Sequence, residues 1–159
     1  TKTFNLAGAH VGACVTSNPD LKARLDQRIA ASSLASYNAF GMIATEAAWR
    51  TGEAWLDELL PYLQANRDLL HQGICEAVPG ARAMPLEATY LAWLDFNGTG
   101  LAADDVAARM TERARIFASP GPQFGPGGEN RLRFNFATPR SRINEAIERI
   151  GDAFADVRT

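Results

Sequence analysis

The chain has 159 residues, 47% hydrophobic and 21% charged, enough for an ordinary globular domain with a real core. A formal charge of -2 and a pI near 5.7 leave no basic footprint for nucleic acid. No run approaches the roughly 18 uninterrupted apolar residues of a membrane span.

Thr1-Lys2-Thr3 leads straight into mixed sequence, unlike the basic flank and apolar run of a signal peptide. The missing initiator methionine suggests a fragment or a processed product. From His10 to Thr16, Val11, Ala13 and Val15 alternate, which predicts a short strand. Asn18 followed by Pro19 is a helix start, a capping side chain before a residue preset for the first turn. Leu21, Leu25 and Ile29 continue that helix at four-residue spacing. The serine-rich stretch Ser32 to Ser36 marks a break or a helix junction.

A second apolar helix runs through Phe40, Ile43, Ala44 and Ala47 and ends at Thr51-Gly52. A third spans Glu53 to about Ala77 on the stripe Leu56, Leu59, Leu60, Leu63, Leu70 and Ile74. Pro61 should kink it, because proline has no N–H for the helix ladder. Pro79-Gly80 stops it.

The texture then changes. Ala88 to Phe96 is rich in β-formers and bounded by Asn97-Gly98, so it reads as a strand. A short helix over 104–114 and a strand over 115–118 come next. Ser119 to Asn130 is a Gly/Pro loop, too turn-rich for either regular element. Leu132, Phe134 and Phe136 alternate with Arg131, Arg133 and Asn135, again a strand. Thr138-Pro139 opens a last helix with the stripe Ile143, Ile147, Ile150 and Phe154. Helices first and then a mixed segment predict an α+β domain, with helices packed on one face of a small sheet.

Few residues announce chemistry by themselves. Cys14 and Cys75 sit among apolar neighbours without metal-ligand spacing, which predicts small core residues in a reducing cytoplasm. His10 and His71 form no two-histidine motif, so no metal is expected. Lys2, taken alone, reads as a solvated end. Arg133 is either a surface strand arginine or, beside the Gly-rich loop, a planar fork for a carboxylate. Tyr90 and Trp93 read as core or interface aromatics.

Together these segments resemble the cystathionine β-lyase (C–S lyase) branch of the class I/II aminotransferases. Thr1-Lys2-Thr3-Phe4-Asn5-Leu6-Ala7-Gly8 is similar to that branch's Ser-Lys-Thr-Phe-Asn-(Ile/Leu)-Ala-Gly segment. Val11-Gly12 and Ser17-Asn18-Pro19-Asp20-Leu21 resemble the branch's next strand and helix. Ala48 to Leu56, with Tyr62-Leu63 and Asn66-Arg67, resembles the interdomain helix. Ala88 to Phe96 is similar to its Thr-Tyr-Leu-x-Trp-Leu-Asp strand, and Arg131 to Arg140 to the segment bearing its Arg-x-Asn arginine.

The resemblance implies the C-terminal part of a fold type I enzyme dependent on pyridoxal 5'-phosphate. Lys2 would be the Schiff-base lysine and Arg133 the clamp on the substrate α-carboxylate. His10 stands where many aminotransferases have a phosphate-binding arginine, and would bind the cofactor phosphate. Thr1 and Ala9 replace a usual serine and a common leucine. Residues 1–35 would end the large cofactor-binding domain, and 36–159 would form the interdomain helix and small domain. The family's N-terminal half, with the aspartate facing the pyridine nitrogen, has no counterpart here.

The implied reaction is cleavage of cystathionine or a related cysteine conjugate to thiol, pyruvate and ammonia. An aminotransferase using the same lysine and arginine is the alternative. From another class, the isolated chain would be a non-catalytic α+β domain. An amino-acid substrate, a cytoplasmic location and a homodimer of the whole protein complete the expectation, with no nucleic acid or membrane partner.

Overall fold

Asn18 and Pro19 start the first helix as their chemistry requires. In the computed structural model, which describes residues 1–34 and 38–157, α1 spans Pro19–Ala31. Asn18 Oδ1 accepts from the N–H groups of Asp20 and Leu21 at 2.9 and 3.1 Å, satisfying two donors that have no partner inside the helix. The helix ends at Ser32 and Ser33, the latter at φ +54°. The rest of the expected serine-rich break, Ala35 and Ser36, lies outside the described residues.

Helix α2 covers Ala39–Thr51 and α3 covers Glu53–Ala77, matching the predicted boundaries. Gly52 separates them, and α3 continues unbroken across Pro61. By its internal contacts the chain divides into two units, Thr1–Glu58 and Leu59–Thr159.

The second unit holds the core. Its sheet contains β1 (Arg82–Ala83), β2 (Leu91–Asp95), β3 (Ser119–Pro120) and β4 (Arg131–Asn135), all antiparallel in the order β1-β2-β4-β3. Strand periodicity puts Ala92, Leu94, Leu132 and Phe134 on one face. There they join Leu70 and Ile74 of α3, Val106 of α4 (Ala103–Ala108), and Ile143 and Ile150 of α5 (Arg140–Ala153). Each large apolar side chain fully buried in this layer contributes about 1.5–3 kcal/mol. The α+β expectation holds, with the helices on one face of the sheet.

Four expectations change. Residues 11–16 form no strand, because an extended segment needs a ladder and none of the described residues supplies one. The strand expected over 115–118 lies instead at Ser119–Pro120. Arg115 takes φ +55° and Ile116 N–H bonds back to Met110 O, which ends the preceding helical run with a turn. The loop expected to be irregular from Ser119 therefore opens with a strand and a 3-10 turn, Gly121–Phe124. Both cysteines are exposed rather than buried. Cys75 comes directly after the buried Ile74 on α3, and one residue turns it about 100° off the apolar stripe.

Candidate functional site

In the first unit, the Lys2 backbone is folded into a turn. Leu6 N–H bonds to Thr1 O at 2.9 Å and Asn5 N–H to Lys2 O at 3.3 Å, with Asn5 at φ +53°. A 3-10 turn, Ala7–Ala9, comes next and ends at His10, whose φ of +50° lies in the left-handed region. Asn38 Nδ2 donates to Ala9 O at 2.9 Å, tying this segment to α2.

Two glycines allow the approach. A Cβ at Gly41 would stand 2.4 Å from Val11 Cγ2 and 2.5 Å from Ala9 O. One at Gly52 would stand 2.6 Å from Phe4 Cε1. The Phe4 ring is 6.1 Å from Trp49, edge-on, and 6.0 Å from Trp55, stacked. Lys2 itself is exposed, and its amine has no ion-pair or hydrogen-bond partner among the described residues. His10 is exposed on the same segment.

In the second unit, β4 presents Arg131 and Arg133 on the sheet face opposite the helices. The pair separates two fates of one residue type. Arg131 lies opposite Asp95 and bonds its Oδ2 through Nε at 3.1 Å and Nη2 at 3.0 Å. Burial alone would raise the Asp95 pKa, but hydrogen bonds from Asn97 and the Arg131 charge outweigh it and hold the carboxyl below its ordinary range.

Arg133 has no acid. It lies between Trp93 and Ser119 across the sheet, half-buried, and Nη2 donates to Ser119 Oγ at 3.4 Å. The Phe124 ring covers its Cζ at 4.5 Å, and Trp93 meets Phe124 edge-on at 5.5 Å. Among the described residues its guanidinium meets no carboxylate, which leaves a rigid planar fork able to take an anion.

Asn66 fixes the chain beyond β4. Fully buried, it donates to Phe136 O and Thr138 O at 3.3 and 2.9 Å, and its Oδ1 accepts from Arg140 Nε at 3.3 Å. Sequence reasoning gave no role to Asn66 or Ser119, and read Phe124 only as part of a Gly/Pro loop that either approaches a ligand or simply connects two elements. A signal existed only for the first, an amide four residues before Leu70 on an apolar helical stripe. Lys2 and His10 share one segment of the first unit; Arg133 belongs to the second.

The profile of the family described as aminotransferase class I and II matches residues 1–150. The chain is 32% identical over 155 residues to the cystathionine beta-lyase PatB of Bacillus subtilis (strain 168), covering 98% of this chain and 40% of that protein. It resembles the crystal structure of cystalysin from Treponema denticola, which contains a pyridoxal 5'-phosphate cofactor, with a TM-score of 0.87 and 30% identity over 98% of this chain and 40% of that one. The PLP-bound C-S lyase from Staphylococcus hominis matches with a TM-score of 0.80 and 26% identity, covering 98% of this chain and 40% of that one. The chain thus spans about 40% of the length of these relatives.

Proposed function

Because the chain belongs to the class I and II aminotransferase family, we propose that the whole protein is a pyridoxal-phosphate-dependent carbon–sulfur β-lyase. It would cleave cystathionine or a related cysteine conjugate to a thiol, pyruvate and ammonia. The relatives named for this chemistry, in Bacillus subtilis and Staphylococcus hominis, favour it over transamination. We assign residues 1–35 to the end of the cofactor-binding domain, 36–159 to the interdomain helix and small domain, and the active protein to a homodimer.

The residues fit the group. An exposed primary amine without an ion pair suits an aldehyde, and an arginine without an acid suits the carboxylate of an amino acid. When bound, pyridoxal phosphate supplies a sink for the electron pair left as the Cα proton departs.

The chain's own residues do the rest. Lys2 Nζ would hold the cofactor covalently and, as a free amine, would take the Cα proton. Arg133 receives the α-carboxylate and so fixes which Cα bond is aligned for cleavage. His10 offers a ring N–H to the phosphate. The observation that carries the reading is the contrast on β4: Arg131 is paired with Asp95, whereas Arg133, on the same face, meets no acid among the described residues.

The test uses the full-length protein with cystathionine, following pyruvate with and without an added 2-oxo acid. Pyruvate and free thiol without any 2-oxo acid establish the lyase. Lys2→Ala should lower that turnover by on the order of 10³-fold or more. Turnover only in the presence of a 2-oxo acid makes the protein an aminotransferase, with Lys2 and Arg133 keeping their roles.

A further inference from the structure

We propose that Phe124 and Ser119 are positioning residues that present the Arg133 guanidinium to a substrate carboxylate in a single orientation. The inference rests on the reading of Arg133 as the carboxylate receptor and adds to it the parts that hold the receptor still.

An arginine side chain is long and rotamer-rich, and a two-point grip on a carboxylate works only if the fork is already aimed. Three contacts aim this one. Its strand pairs on both sides, with Trp93 on β2 and Ser119 on β3. Ser119 Oγ accepts one Nη2 proton at 3.4 Å. The Phe124 ring lies against one face of the guanidinium, 4.5 Å from Cζ, where the negative face of the π-system meets the cation. Guanidinium carries five N–H donors, and only the one directed at Ser119 has a recipient among the described residues.

Phe124 is not there to build the core. The residue is 50% exposed, and its ring meets the Arg133 guanidinium and, in a T-shaped arrangement, Trp93. The loop brings it there by a close backbone crossing. A Cβ at Gly121 would stand 2.0 Å from Gly128 O, and one at Gly128 would stand 2.2 Å from Gly121 O, so side chains at either position would open the loop. Between these two glycines, the 3-10 turn Gly121–Phe124 sets the ring over β4, and Gly125 at φ +113° turns the chain away.

The experiment compares a carboxylate with its uncharged counterpart in the full-length protein. The probes are 3-(methylthio)propanoate and 3-(methylthio)propanamide, titrated at equilibrium, alongside KM and kcat for cystathionine on the cofactor-loaded enzyme. Phe124→Leu should weaken the acid by about tenfold, leave the amide unchanged, and raise KM far more than it lowers kcat. Phe124→Tyr keeps a π-face and should restore acid binding to within about threefold of the parent. Ser119→Ala should cost the acid about threefold.

Loss of the acid–amide difference in Arg133→Gln, with the difference retained in Phe124→Leu, overturns the positioning role and leaves the receptor reading standing. Retention of the difference in Arg133→Gln removes the receptor reading and this inference with it. Should Phe124→Leu fail to fold, Phe124→Met is read by the same criteria.

Discussion

The two units of this chain differ in how they treat their apolar residues. Every described buried hydrophobic side chain lies in the second unit, between Leu70 and Phe154. In the first, Gly41 is the only buried residue among those described, while Phe40 is 84% and Trp49 75% exposed. The helices of both units carry apolar stripes. A stripe stabilises only when something covers it, and among the described residues only the second unit contains its own cover, a sheet. Arg133 therefore stands on a packed scaffold. Lys2 stands on a turn held by Phe4, Gly52, Asn38 and Gly41.

The sharpest challenge to this contrast is a pair of truncations in the 159-residue chain. Ile74→Ala, at a site with no exposed surface, should lower the unfolding free energy of the second unit by about 2–5 kcal/mol. Leu25→Ala on α1, only partly covered, should cost less than about 1 kcal/mol. Urea unfolding of both variants measures the difference, and equal costs would break the comparison.

Gly52→Ala probes the latch on the first unit. The new methyl would drive into Phe4 and Ala48 O, costing roughly 1–3 kcal/mol. In the full-length protein kcat should fall while affinity for 3-(methylthio)propanoate is retained, since Arg133 belongs to the other unit. Loss of carboxylate binding as well would contradict the separation of roles.

Asn18→Ala removes the side chain that caps α1 and should cost about 1 kcal/mol, read as lost helicity by circular dichroism. No change would mean that α1 is held by something other than its own cap.

The smallest effect is electrostatic and lies in the second unit. Asp156 accepts hydrogen bonds from Arg109, which hold its pKa at about 2. A carboxyl depressed in the folded state stabilises above its unfolded pKa of about 4 and loses that contribution as pH falls toward 2. The stability difference between the parent and Asp156→Asn should therefore be present at neutral pH and fade across that acid range. A constant difference would assign the effect to packing. Exposure of Asp156 keeps it small.

How far the fold could be read in advance depends on the range of each interaction. The boundaries of α2 and α3 came from glycines and local periodicity, and the start of α1 from Asn18 and Pro19, all within a few residues of the feature they set. The central strands β2 and β4 were legible from β-formers and alternation. The two-residue strands β1 and β3 were not, because their pairing with Leu94, Asp95, Leu132 and Arg133 is decided by residues far along the chain. Residues 11–16 failed for the complementary reason: they alternate like a strand and have no ladder among the described residues.

At the candidate site, Lys2 and Arg133 were named by local motif. The alternating run alone could not tell Arg133 from Arg131, two positions apart. Their difference rests on Asp95, 36 residues from Arg131, and on Phe124, brought across by a loop whose glycines let two backbone segments touch. Sequence alone determined the helices, the inner face of the sheet and the residue types available for chemistry, because capping and periodicity act over a few residues. Only the tertiary structure decided which arginine is paired with Asp95 and which meets no carboxylate among the described residues, because charge pairing is a matter of distance in space.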